Sequence, residues 1–318
     1  MLMLSEADVR QVLTMDAALE AVESALRDLA SDQAVNIPRT RCQTDRAMLH
    51  MLSAAWRRGG YLGYKAYVTT RQQARFHVAL FDGESGELLC LMEADYLGQV
   101  RTGAASGVAT RYMARPESCE VGIFGSGKQA RTQLQAVCKV RPITHAHVWS
   151  PNVEHRRAFA KEMSEVCGIE VVPAQHPEMA ADDKDIIITA TTSREPVLNG
   201  HWISDGTHLN VIGSNFLTKT EIDVHTLQRC EVIAVDSKEQ ARLEAGDFVQ
   251  AMEDGVLHWS DVVELGQIIV GRYAGRIRPQ DVTLFKSVGL GIEDVAVAAQ
   301  VYRLARERGL GREVSFHA

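Results

Sequence analysis

The chain has 318 residues, a net charge of −7, 46% apolar residues and 24% charged residues. That length accommodates two domains with a substantial core, and an acidic balance without any basic run excludes a nucleic-acid surface. No stretch reaches the roughly 18 apolar residues of a membrane span, and Ser5-Glu6 ends the apolar start far short of a signal segment, so the expectation is a cytoplasmic protein with no membrane partner.

Residues 5–33 read as helix, with Ser5 and Thr14 as N-caps and Leu19, Val22, Leu26 and Leu29 at helical spacing. Pro38 ends that pattern. Strands follow at 48–53, 61–68, 76–81 and 88–92, and Asp82-Gly83-Glu84-Ser85-Gly86 joins the last two as a hairpin. Short links between consecutive strands indicate an antiparallel or mixed sheet. A helix over 96–114 carries Arg101-Thr102-Gly103-Ala104-Ala105-Ser106-Gly107, small enough to let a neighbouring backbone approach closely. Arg115-Pro116 stops it and marks a domain boundary.

Beyond Cys119 strand and helix alternate. Strands fit 119–124, 145–149, 169–172, 185–190, 208–212 and 231–235, the grammar of a doubly wound parallel sheet. Further helices fit 238–253, 259–271 and 292–308, the last ended by Gly309 and expected to return to the first domain. The six cysteines lie far apart with no C-x-x-C pair, so they read as free thiols in a reducing compartment, and no metal site is expected. His145 and His147 alternate on one strand without a third ligand candidate. His77 reads as a core or surface histidine that could instead face the cleft, His208 as structural, and Asp294 as a carboxylate at a helix start, where capping explains it as well as catalysis does.

The informative stretch is Gly125-Ser126-Gly127-Lys128-Gln129-Ala130, between an apolar strand and a helix. A strand that turns through glycines into a helix gathers free N–H groups and the positive dipole end at one point, which attracts a diphosphate. Gly125 permits the turn, Gly127 lets the backbone meet the ligand, and Ala130 seats the helix on the strand. After the second strand an NAD-selective site places an acidic residue against the ribose. Here Ser150-Pro151-Asn152 stands there, with Arg156 and Arg157 one turn on, which favours NADP(H) over NAD.

Four ordered segments carry a family resemblance: Gly63-Tyr64-Lys65; Arg101 to Ala105; Gly206 to Gly213 with Lys219 and Glu221; and Phe285 to Gly289 with Ile292-Glu293-Asp294. On them the chain resembles the ornithine cyclodeaminase/μ-crystallin family, which also contains alanine dehydrogenases and imine or ketimine reductases. The resemblance implies a Rossmann-type α/β domain over 116–289. A sheet-rich α+β dimerisation and substrate domain would comprise 1–115 plus 290–318, the protein being a homodimer with its active site in the cleft between domains.

Carried over by position, Lys65 matches the catalytic lysine, and Arg101 the arginine that reaches both substrate carboxylate and cofactor. Arg39 matches a further carboxylate-binding arginine, with Arg41 close enough to compete. Lys128, Gln129, Ser150, Thr191, the loop Ile212, Gly213, Ser214 and Asn215, Lys219 and Ser287 fall on cofactor positions. Val288 falls beside the substrate. Asn152 and Arg156 join the cofactor set through the ribose argument above.

One departure separates the family's activities. The cyclodeaminases and the archaeal alanine dehydrogenase carry an aspartate two residues after the Gly213 position, and this chain has Asn215. An amide has no useful basicity, so it cannot act as a general base or hold a substrate ammonium by charge. The expected activity is therefore NAD(P)H-dependent reduction of small α-imino carboxylates, an amino-acid dehydrogenase run in reverse. The alternatives are an ornithine cyclodeaminase, making proline and ammonia, and a cofactor-binding crystallin-like protein without turnover.

Overall fold

The computed structural model describes residues 1–315. It divides the chain into two compact units, Met1–Arg101 with the segment from Leu290, and Thr102–Gly289.

The first unit is built on a seven-stranded sheet in the order Arg312–Glu313, Leu2–Leu4, Leu88–Glu93, Ala74–Asp82, Tyr61–Thr70, Ala47–Trp56, Ala34–Gln43. Its long strands are antiparallel neighbours. The helix Gly291–Arg308 packs on one face of this sheet and meets the helix Met15–Ala30. Close approach explains Gly63, where a Cβ would lie 2.7 Å from the Ala79 carbonyl oxygen. Gly309, with φ +64°, ends the C-terminal helix as the sequence indicates.

Several elements depart from the sequence reading. The helix expected over 5–33 is two, Glu6–Val12 and Met15–Ala30, because the Thr14 side chain accepts from the Ala17 N–H and starts a second helix. The strand Ala34–Gln43 runs through Pro38, which the sequence reading took as a breaker. It lies at the edge of the sheet, and its register shifts between Ile37 and Thr40, the two circumstances in which a strand tolerates proline.

The second unit holds an eight-stranded, wholly parallel sheet in the order Val262–Glu264, Cys230–Val235, Val282–Lys286, His208–Val211, Ile186–Thr189, Glu120–Phe124, His145–Trp149, Glu170–Pro173. The strand Val282–Lys286 is absent from the sequence reading although it is central, because its end lysine obscures a short apolar run. The helix expected over 238–253 breaks at Gly246 into Lys238–Glu244 and Val249–Glu253. The one expected over 259–271 is a strand, Val262–Glu264, followed by the helix Leu265–Ile269.

The division between units falls inside the helix Asp95–Met113, earlier than Pro116. Its small residues explain this. A Cβ on Gly103 would lie 2.4 Å from the Thr132 carbonyl oxygen, so this half of the helix packs tightly on the helix Lys128–Val140. Asn210 Nδ2 donates to Thr110 Oγ1 at 2.9 Å, and Gln133 Nε2 to the Thr102 carbonyl at 3.0 Å. Among the described residues no helix is long and apolar enough to cross a membrane.

Candidate functional site

In the second unit the parallel strands end on one edge, where the loops after them carry the candidate cofactor residues. Gly125 turns the chain with φ +111°, and a Cβ there would lie 2.4 Å from the Ala190 carbonyl oxygen. Its N–H donates to the Trp149 carbonyl at 2.8 Å, tying the turn to the neighbouring strand. Gly127 caps the helix Lys128–Val140 without a side-chain bond, and a Cβ on it would meet no protein atom within 4 Å. The turn thus combines uncovered helix N–H groups with open space at the one position where a side chain would stand over them. That geometry fits a dinucleotide diphosphate.

Lys128 is exposed and Gln129 half-buried beside this turn. Arg131, absent from the sequence reading, braces it from behind. It donates to the Ser126 and Gly127 carbonyls at 2.7 and 3.1 Å and pairs with Glu162. Ser150 is buried and bonded to Ser126, Oγ to Oγ at 3.0 Å. Asn152 caps the helix Val153–Cys167 by accepting from the His155 N–H at 2.9 Å. Both arginines offered to a 2′-phosphate are engaged within the protein. Arg156 is buried, with its guanidinium 4.5 Å from the Trp149 ring centroid and a bond to the Ser150 carbonyl, and Arg157 pairs with Glu154.

The opposite half of this edge is held by buried carboxylates. Glu221 accepts from the Thr191 N–H at 2.6 Å, the Gly213 N–H at 2.7 Å and the Thr189 hydroxyl at 2.9 Å. Burial first, and the nearby Asp247 second, push its carboxyl above the usual range. Asp247 accepts from the Glu221 N–H and pairs with Lys286, whose Nζ also donates to the Ser214 carbonyl at 2.9 Å. Asp236 accepts from the Ser287 hydroxyl and the Val288 and Gly289 N–H groups. These groups fix the loops that contain Thr191, Ile212–Asn215 and Ser287-Val288. Ile212, Ser214, Ser287 and Val288 are buried, and Asn215 and Lys219 half-buried.

The first unit gathers the other candidates. Lys65 lies on the sheet face that the helix Gly291–Arg308 covers and is only 2% exposed, not a solvated strand lysine. Its Nζ sits 2.8 Å from Oδ1 and 2.7 Å from Oδ2 of Asp294. Arg101 donates from Nε to Asp294 Oδ1 at 2.9 Å and from its terminal nitrogen to Glu293 Oε2 at 2.8 Å. Burial, then Arg101, push the Lys65 pKa down to about 7, Asp294 opposes them, and Arg39 adds to the fall.

Arg39 is buried, whereas Arg41 is half-buried and donates from Nε to His50 Nδ1 at 3.2 Å. His50, on the neighbouring strand, stacks on Tyr67 with centroids 4.2 Å apart, and its Nε2 is 3.2 Å from Thr69 Oγ1. Burial and then Arg41 hold its pKa at about 4, so the ring is neutral. Asp294, read from sequence as a helix-start carboxylate, is thus part of this cluster; its place beside Glu293 in the matching segment was the only signal. Among the remaining histidines, His77 is exposed, and His208 is buried with Nδ1 bonded to Thr283 Oγ1 at 2.9 Å. No group of His, Cys, Asp or Glu among the described residues could hold a metal.

Comparison with known proteins follows this geometry. A Δ1-pyrroline-2-carboxylate reductase from Thermococcus litoralis, solved with NADH and L-proline, superposes with a TM-score of 0.94 and is 37% identical, over 99% of this chain and 100% of that one. An archaeal alanine dehydrogenase dimer with bound NAD gives a TM-score of 0.93 at 33% identity, over 99% of both chains. A Δ1-pyrroline-2-carboxylate reductase from Bacillus cereus is 31% identical over 99% of this chain and 100% of its own length. The profile of the ornithine cyclodeaminase/mu-crystallin family matches residues 1–309. The chain belongs to the ornithine cyclodeaminase/mu-crystallin family.

Proposed function

We propose that the protein is an NAD(P)H-dependent reductase of small α-imino and ketimine carboxylic acids. The observation that carries this reading is the buried Lys65 beside Arg101 and within the field of Arg39. Two guanidiniums match a carboxylate, and a lysine with a pKa near neutrality is a proton donor suited to a C=N nitrogen. Arg39 and Arg101 hold the substrate carboxylate, and Lys65 supplies the proton. Gly125, Gly127, Lys128 and Gln129 receive the diphosphate; Ser150, Asn152 and Arg156 the adenosine ribose. Thr191, Ile212, Gly213, Ser214, Asn215, Lys219 and Ser287 take the rest of the nucleotide. The bound cofactor supplies the hydride.

The relatives named above are a reductase of a cyclic imino acid and an amino-acid dehydrogenase, which supports the same reaction class. Asn215 argues against cyclodeamination. The test is a steady-state screen of Δ1-pyrroline-2-carboxylate and of keto acids with ammonia or amines, against NADH and NADPH separately. Oxidation of either nucleotide supports the reading. Proline formed from ornithine without net change in cofactor would replace it with the cyclodeaminase, and tight nucleotide binding with no turnover would replace it with the crystallin-like alternative.

Two finer points belong to the same proposal. NADPH is favoured over NADH by the lack of an acidic residue after Trp149, and the screen compares them. The protein is a homodimer. The sheet face opposite Lys65 leaves Ile37, Met51, Leu62 and Val68 exposed, an apolar surface suited to a second copy. Light scattering should report a dimer that Leu62→Arg dissociates; a monomeric wild type would refute it.

A further inference from the structure

Asp294 organises the Lys65 cluster. Glu293 and Asp294 occupy the first turn of the helix Gly291–Arg308, where the helix dipole favours carboxylates, and both are fully buried. A buried carboxylate is costly unless it is paired, and these two are paired with the lysine and arginine proposed to bind the substrate. Asp294 touches both cations. Glu293 pairs with Arg101 and accepts from the Leu290 N–H at 3.4 Å, which fixes it to the helix end.

We infer that Asp294 is a positioning residue that anchors Lys65 Nζ beside Arg101 and keeps it in the proton-donating form, while Glu293 orients Arg101. The inference rests on the reading of this unit as the substrate carboxylate site. An ammonium has three N–H donors. Asp294 covers one side of Nζ with both oxygens in contact, and the Tyr67 ring lies 5.9 Å away. The carboxylate accepts from Lys65 whether the nitrogen carries three hydrogens or two, so the direction of the transferable proton is held through the reaction. In that transfer the substrate nitrogen's lone pair forms the new N–H bond and the broken Lys65 N–H bond leaves its electrons on Nζ. Solvent restores the proton after release.

The charged groups that act on Lys65 are Arg39 on the edge strand, Arg101 on the helix Asp95–Met113 and Asp294 on the C-terminal helix, while the paired strands place Leu52 and Val78 opposite it. The neutral His50 lies on the neighbouring strand. Asp294 favours the charged form of Lys65, and burial, Arg101 and Arg39 oppose it.

The experiment is the pH profile of kcat/KM for imine reduction in wild type, Asp294→Asn, Asp294→Glu and Glu293→Gln, with folding checked by circular dichroism and NADH affinity by fluorescence. Wild type should decline above about pH 7, tenfold per pH unit. Asp294→Asn should move that limb acidward by about one unit or more, an approximately tenfold loss at pH 7.5 that shrinks on acidification, with NADH affinity unchanged. Asp294→Glu should restore the limb at reduced kcat, and Glu293→Gln should raise KM for the imino acid without moving it. A folded Asp294→Asn enzyme whose rate falls equally at every pH, or, if that variant does not fold, an Asp294→Glu enzyme with a displaced limb, overturns the inference. A wild-type rate in Lys65→Met overturns instead the reading beneath it.

Discussion

At residues 125–130 the groups proposed to face a ligand are backbone N–H groups at a helix end, and Gly127 is placed so that a Cβ would touch no protein atom. Around Lys65 they are side chains: Lys65, Arg101, Glu293 and Asp294 are buried in mutual contact. The first kind of site needs glycine and leaves a sequence trace. The second needs charges brought together over 229 residues of chain, from Lys65 to Asp294, and leaves none. The two kinds should also fail differently, the turn losing affinity for nucleotide and the cluster losing chemistry.

The largest expected effect breaks the cluster. Lys65→Met should lower turnover by roughly 10³-fold, the scale of a lost general acid, while nucleotide affinity by fluorescence stays within about twofold. Second is the turn itself. Gly127→Val should fold normally, since a Cβ there meets no protein atom within 4 Å, and should raise the nucleotide Kd about 10- to 100-fold by titration calorimetry. If that variant bound nucleotide as well as wild type, the turn would not be the diphosphate site.

The same contrast decides what the sequence revealed. The glycine turn at 125–130, the alternating strands from Cys119 and the C-terminal helix were all readable, since glycines, apolar runs and 3.6-residue spacing are local signals. Lys65 was readable only through its resemblance to the family, because a lysine on a strand ordinarily faces water. The carboxylates that support both sites were not readable as such. Glu221, Asp236, Asp247 and Lys286 hold the loops after their strands by long-range hydrogen bonds, and Lys286 even hid the strand it ends. The edge strand at 34–43 escaped for a different reason: proline is excluded from central strands, and no local pattern says which strand is at the edge.

A third, smaller effect probes those carboxylates. Glu221→Gln turns a side-chain acceptor facing the Thr191 and Gly213 N–H groups into an amide, which costs about 1–3 kcal/mol. It should lower Tm by several degrees and raise the nucleotide KM several-fold, without altering the pH limb assigned to Lys65. A displaced limb would mean that the two sites share one electrostatic network.

The smallest effect is on stability against pH, and it compares one histidine in each unit. Burial holds His208 at about 3 and His50 at about 4, both below the 6.5 of a free imidazole. Between those values and 6.5 the unfolded chain takes up protons that the native state refuses. The stabilising contribution is therefore complete above pH 6.5 and is lost as pH falls through the native values. Urea unfolding should show lower stability at pH 5 than at pH 7, and His208→Gln should flatten that difference in the second unit. Equal slopes in wild type and variant would remove His208 from the acid sensitivity.

The measurement that bears most directly on the whole account is the pH dependence of kcat/KM for NAD(P)H oxidation with Δ1-pyrroline-2-carboxylate. Lys65 must be protonated to donate, so the rate should be level in acid and fall tenfold per unit above about pH 7. No turnover with any α-imino acid, or a rate that climbs through pH 8, would contradict it.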